Sequence, residues 1–201
     1  MLMQRHPARG MTLIELMIAL AILGVLLGLG LPAFSTFLAN GKVRNATETL
    51  SAGLSLARSE AMRRNRNVEF VLTNDTVTTA TVGTVTPSAS GKHWLVRVFD
   101  PLTATYELIE AKSGFEGSGQ SEAGAPTLQV AATNSLITFR GLGGTQGLAA
   151  AATFDFSNPS AGACHTTGTP GPIRCLRVMV SVAGRIRTCD PATTAPDTRA
   201  C

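Results

Sequence analysis

The chain has 201 residues, 44% of them hydrophobic and only 5% aromatic, with a formal net charge of +4. That length suits one membrane segment plus one globular domain, since roughly 160 residues after the apolar N-terminal run suffice for a single core. The small average surplus rules out naming a partner from overall charge, so the charges must be read along the chain.

Residues 1–10 carry Arg5, His6 and Arg9 and end in Gly10. From Met11 to Leu31 the sequence is MTLIELMIALAILGVLLGLGL, with Glu15 its one charge. A helix of that length spans about 31 Å, a hydrocarbon thickness. The positive flank comes first, which predicts a cytoplasmic leader and an exported C-terminal domain. A cleaved secretory signal would need a small-x-small site after the apolar stretch, and Pro32-Ala33-Phe34-Ser35 is a poor match. Glu15 argues against a plain anchor, because a carboxylate inside a lipid-spanning helix costs a few kcal/mol and usually has a partner. If the chain is cut between Gly10 and Met11, the new α-amine of Met11 can pair with Glu15 of a neighbouring subunit and set their axial register. Pro32 removes one backbone hydrogen bond and crowds the preceding turn, which predicts a bend.

Beyond Pro32, Val43, Ala46, Leu50, Leu54, Ala57 and Ala61 recur in steps of three and four. This helical stripe predicts one helix over residues 12–63: 11–38 form a membrane and assembly segment, and 39–64 an amphipathic continuation laid on a sheet. Arg63, Arg64 and Arg66 complement the negative end of its dipole. Residues 65–201 then read as short strands separated by turns: Val68–Leu72, Val77–Val85, Trp94–Phe99, Tyr106–Ile109, Leu128–Val130, Leu136–Phe139, Thr153–Phe156 and Leu176–Val182. The turn-rich intervals are Pro87–Gly91, Ser113–Pro126 and Gly141–Gly147, with Gly114–Pro126 expected to be a mobile loop. The fold class is α+β, one long helix packed on antiparallel sheet.

All four cysteines, Cys164, Cys175, Cys189 and Cys201, lie near the C-terminus. In an exported domain an even number reads as two disulfides, with three connectivities open; sequential pairing needs only local loops and is preferred. Zinc is the rival, but there is no Cys-x-x-Cys pair and His165 directly adjoins Cys164.

Enzyme signals are absent from the sequence. Only His93 and His165 follow the leader, no serine sits in a G-x-S-x-G elbow, and Ser90-Gly91-Lys92-His93 lacks the rest of a phosphate-binding loop. No cofactor or metal is expected. One patch stands out: Arg174, Arg177, Arg185, Arg187 and Arg199 face only Asp190 and Asp197 in the last stretch of chain. If residues 185–187 are extended, Arg185 and Arg187 point to the same side about 6.5–7 Å apart, close to the spacing of successive phosphates. Guanidinium binds phosphate bidentately, so a weak, salt-sensitive, sequence-tolerant nucleic-acid contact is one reading, with Arg174, Arg177, Arg140 and Arg199 widening the patch. Solvated charges on a hairpin edge are the alternative.

Gly10, Met11, Thr12-Leu13, Glu15 and the apolar run resemble the class III leader of type IV pilins and type II secretion pseudopilins. Ala57-Arg58-Ser59-Glu60-Ala61 running to Asn65 resembles the GspH/FimT group in particular. So do Trp94–Phe99, Ile137-Thr138-Phe139-Arg140-Gly141, and Leu176-Arg177-Val178 running on to Gly184-Arg185-Ile186-Arg187-Thr188-Cys189. The resemblance implies cleavage after Gly10 by a prepilin peptidase, N-methylation of Met11, and assembly through Glu15 and Pro32. It places the chain in the inner membrane with its C-terminal domain in the periplasm, then in a pilus at the cell surface. Its partners would be other pilin subunits and an inner-membrane assembly platform. In the FimT-like branch a C-terminal Gly-Arg-x-Arg element binds double-stranded DNA during uptake, and Gly184, Arg185 and Arg187 match it. FimU-like and pseudopilin relatives imply the alternative, a purely structural subunit that primes filament assembly or secretion.

Overall fold

The structure, a computed structural model, describes residues 11–115 and 127–201, without the side chains of residues 27 and 29–33. The leader and most of the expected loop over Gly114–Pro126 lie outside the described residues. The chain divides into two units, Met1–Phe37 and Leu38–Cys201. Helix α1, Leu13–Arg64, contributes to both.

In the first unit the helix begins with a reciprocal cap. Thr12 Oγ1 accepts from Glu15 N–H at 3.3 Å, and Glu15 Oε2 accepts from Thr12 N–H at 3.4 Å. This is the Thr-x-x-Glu capping box, which satisfies two of the donors left over at a helix start. The apolar side chains that follow are exposed, Leu13, Ile14 and Leu20 among them. Among the described residues no helix is long and apolar enough to cross a membrane. Leu27, Leu29, Gly30 and Leu31 of the expected span, and Pro32 with its expected bend, fall among the side chains not described.

In the second unit the apolar stripe is the packing face. Val43, Ala46, Leu50, Leu54, Ala57 and Ala61 are all at most 1% exposed. Gly53 lies so close to the sheet that a Cβ there would sit 2.8 Å from the Trp94 ring. The helix ends in a Schellman motif: Asn65 is left-handed (φ 48°), its N–H donates to Met62 O, and Arg66 N–H donates to Ala61 O at 3.1 Å.

Nine strands follow among the described residues: β1 Val68–Thr73, β2 His93–Asp100, β3 Thr105–Lys112, β4 Gln129–Ala132, β5 Leu136–Phe139, β6 Thr145–Gln146, β7 Ala152–Ser157, β8 Leu176–Val180 and β9 Ile186–Cys189. They form two antiparallel sheets, ordered β3-β2-β1-β5-β6 and β4-β7-β8-β9. Alternation sends Phe70, Leu72, Trp94 and Val96 into the main core and Val71 and Leu95 to the other face. Phe70 stacks on Trp94 at 5.6 Å and meets Phe154 of the second sheet edge-on at 6.2 Å, so one aromatic cluster joins helix side, first sheet and second sheet. Among the described residues no buried hydrophobic precedes Ala39, so Leu38–Cys201 carries its own complete core.

Two expectations are corrected. Val77–Val85 is not a strand but a series of turns. Its threonines bond locally instead of offering a ladder: Thr78 N–H donates to Thr81 Oγ1 at 2.9 Å and Thr81 N–H to Thr78 Oγ1 at 3.2 Å. The segment lays Val82 and Val85 over Val71 and Leu95 as a cover for the far face of the first sheet. Conversely, the glycine-rich turn Gly141–Gly147 contains strand β6.

Candidate functional site

The basic tail is a β-hairpin. β8 and β9 pair Val180 with Ile186 and Met179 with Arg187, and Ser181 N–H donates to Arg185 O at 2.9 Å to continue the ladder. Arg185 and Arg187 therefore share one face of the sheet, two residues apart. Val182-Ala183-Gly184 closes the turn, with Gly184 N–H donating to Ser181 O at 2.8 Å and Gly184 left-handed at φ 78°. Glycine is required there twice, since a Cβ would also lie 2.0 Å from Gly143 O.

Gly143 is the left-handed residue (φ 83°) of the same kind of turn between β5 and β6, where Arg140 N–H donates to Gly144 O at 2.8 Å. The two tips are fastened together. Val182 O accepts from Thr145 N–H at 3.1 Å and from Thr145 Oγ1 at 2.8 Å. Arg58 Nε on the helix donates to Gly143 O at 2.9 Å. Sequence reasoning assigned Arg58 no role. A guanidinium reaching a loop so far along the chain leaves no periodic signal.

The six candidate arginines divide in two. Arg177 chelates Asp155 (2.6 and 3.1 Å), Arg174 meets Asp190 at 3.2 Å, and Arg199 meets Asp197 at 2.8 Å. The hydrogen bonds from Arg199 hold the Asp197 carboxyl at about 2, below its usual 3.8. Arg140, Arg185 and Arg187 have no aspartate or glutamate partner among the described residues, and all three are exposed. Arg187 is nonetheless engaged: its Nη2 donates to Ala200 O (2.5 Å) and Cys201 O (3.2 Å), so its side chain is held to the tail. The tail itself is fastened by the disulfide Cys189–Cys201 and a bridge between Asp190 and Ala200; a second disulfide joins Cys164 to Cys175. Among the described residues no cluster of His, Cys, Asp and Glu is arranged to hold a metal ion.

Comparison with known proteins places this geometry. Residues 46–184 match the family model described as type II transport protein GspH, and residues 5–31 match the prokaryotic N-terminal methylation motif. The chain belongs to the GspH family. This GspH-family chain resembles the crystal structure of the type IV minor pilin FimU of Pseudomonas aeruginosa, with TM-score 0.51 and 21% identity over 80% of this chain and 97% of that one. The shared fold is the pilin fold, helix on antiparallel sheet. The minor pseudopilin EpsH of Vibrio cholerae aligns at TM-score 0.47 and 11% identity over 76% of this chain and 99% of that one. A pilin-like protein of Thermus thermophilus, PilA1, is 50% identical over 57 residues, which span 28% of this chain and 35% of that protein. The methylation motif covers Gly10, Met11 and Glu15, and the GspH match runs through Arg58, Arg140 and the hairpin as far as Gly184.

Proposed function

We propose that this chain is a minor pilin that joins a filament and holds double-stranded DNA loosely, without sequence preference, during DNA uptake. The observation that carries the DNA contact is the division of the arginines. Three tail arginines are neutralised by aspartates, whereas Arg140, Arg185 and Arg187, on two hairpins fastened tip to tip, have no aspartate or glutamate partner among the described residues. Gly184 sets the turn that presents Arg185, and the tail carbonyls hold Arg187, so little side-chain freedom is lost on binding. Such a contact is electrostatic and loses affinity with salt.

Around this site the rest of the life cycle follows the leader. Prepilin peptidase cuts after Gly10, and Met11 becomes the methylated N-terminus. Residues 11–38 hold the chain in the inner membrane, with the domain in the periplasm, until an assembly platform passes it to the filament. There Glu15 exchanges its own capping contact with Thr12 for the Met11 amine of a neighbouring subunit, and Pro32 gives the helix its bend. The role is structural and not enzymatic.

The test is duplex DNA binding by the unit Leu38–Cys201 at two salt concentrations, read by fluorescence anisotropy. The expected result is weak binding that falls with salt, is abolished by Arg185→Ala with Arg187→Ala, is weakened by Arg140→Ala, and is unchanged by Arg199→Ala. Absence of binding at low salt, or equal binding by the double variant, overturns it. A second reading, a purely structural minor pilin or type II secretion pseudopilin that primes assembly, is favoured by the bond from Arg187 to its own tail. It predicts that the double variant loosens the tail and leaves no DNA affinity to lose.

A further inference from the structure

The cover formed by residues 74–92 does not reach the whole outer face of the first sheet. At the end it leaves bare, a cavity of about 490 Å³ opens, with Phe99, Pro101 and Tyr106 along one side. Phe99 and Tyr106 meet edge-on at 5.3 Å, and Phe99, next to last in β2 and two residues from the buried Arg97, is 45% exposed. Facing the rings is a row of polar side chains fixed by strand register: Glu69 opposite Thr138, and Thr138 opposite Gln146. Asn67 Nδ2 donates to Gln146 Oε1 at 2.8 Å and ties the row's end.

The charges at this site cancel. Glu69 is bonded to Arg97 at 2.8 Å, and Arg97 lies 4.0 Å from the centre of the Tyr106 ring. Arg66 donates to Phe99 O and sits 3.8 Å from Asp100. What remains unused among the described residues is neutral: the Thr138 hydroxyl, Asn67 Oδ1 and Gln146 Nε2. An anion finds no unpaired cation here and a cation no unpaired carboxylate. A half-exposed Phe99 ring opposite a row of hydroxyl and amide groups complements a molecule with a C–H face and several hydroxyls.

We propose that this cavity binds a neutral saccharide, with a sugar ring laid on Phe99 and its hydroxyls bonded to Asn67, Thr138 and Gln146. The site shares the β5–β6 hairpin with Arg140 through Thr138 and Gln146, but it uses none of the three unpaired arginines and does not depend on the DNA reading. The experiment is a glycan array probed with the unit Leu38–Cys201, followed by titration of the strongest hit by protein-observed NMR. Hits are expected among uncharged hexose and N-acetylhexosamine oligosaccharides, with no preference for sialylated or sulfated ones. Phe99→Ala is expected to weaken the titrated ligand about fivefold, the scale of one lost ring contact. Gln146→Ala weakens it comparably, and both variants keep the wild-type melting temperature and DNA affinity. An array without hits, hits that depend on negative charge, or affinity unchanged in both variants overturns the proposal.

Discussion

The two stretches of α1 both carry apolar side chains and use them in opposite ways. Over 13–37 the described apolar side chains lie exposed on every side, Leu13 at 78% and Phe37 at 72%. Over 38–64 most of them lie in one stripe from Ala39 to Ala61 that is buried to the last few per cent, and Leu38 and Met62 stand half-exposed outside it. The difference is angular distribution: apolar all round suits a helix surrounded by apolar material, whereas a stripe suits a helix with one partner. Glycine separates by packing face. A Cβ on Gly24, Gly28 or Gly41 would meet nothing within 4 Å, and one on Gly53, facing the sheet, would collide with Trp94.

The largest expected effect comes from emptying the stripe. Leu54→Ala should destabilise the unit Leu38–Cys201 by about 2–5 kcal/mol in urea, the cost of a core cavity. Leu20→Ala in the full chain should leave the urea midpoint of that unit unmoved. Equal loss from both would break the distinction. A smaller effect comes from crowding. Gly53→Val should cost about 1–3 kcal/mol, because the rigid indole must shift, while Gly28→Val leaves thermal unfolding of the unit unchanged.

The smallest effect lies at the C-terminal end of the stripe. Hydrogen bonds from Arg63 and then Arg64 hold the Glu60 carboxyl at about 2, against 4.5 unperturbed. A depressed carboxylate stabilises fully above its unfolded value and loses that contribution as pH falls through its folded value. Stability from this site is therefore present above about 4.5 and fades toward about 2. An NMR titration of Glu60 with a midpoint near 4.5 would sink it, and Glu60→Gln should flatten that part of the acid unfolding curve.

Much of this was written in local pattern. The leader motif, the stripe at Val43 through Ala61 and the alternation in Trp94–Phe99 depend on neighbours along the chain. The capping partner of Glu15 was legible too, in the spacing Thr12-x-x-Glu15, but the carboxylate was read only as an intersubunit group. What escaped is non-local or contested. The run Val77–Val85 has strand composition, but its threonine hydroxyls satisfy the backbone within the segment. The neutralisation of Arg177 by Asp155 depends on strand pairing that no spacing reveals. The union of the Gly143 and Gly184 turns likewise needs both sheets in place before their glycines explain each other.

The two disulfides close loops whose ends are 11 and 12 residues apart. An extended chain gains about 3.4 Å per residue, so each closed loop withholds roughly 40 Å that tension on the domain cannot draw out. A tug on the tail is passed from Cys201 straight to Cys189, bypassing the residues between them, and loads strand β9 and its ladder to β8. In mechanical terms the C-terminal end of the molecule is a short, stiff tether with its slack locked away by covalent bonds.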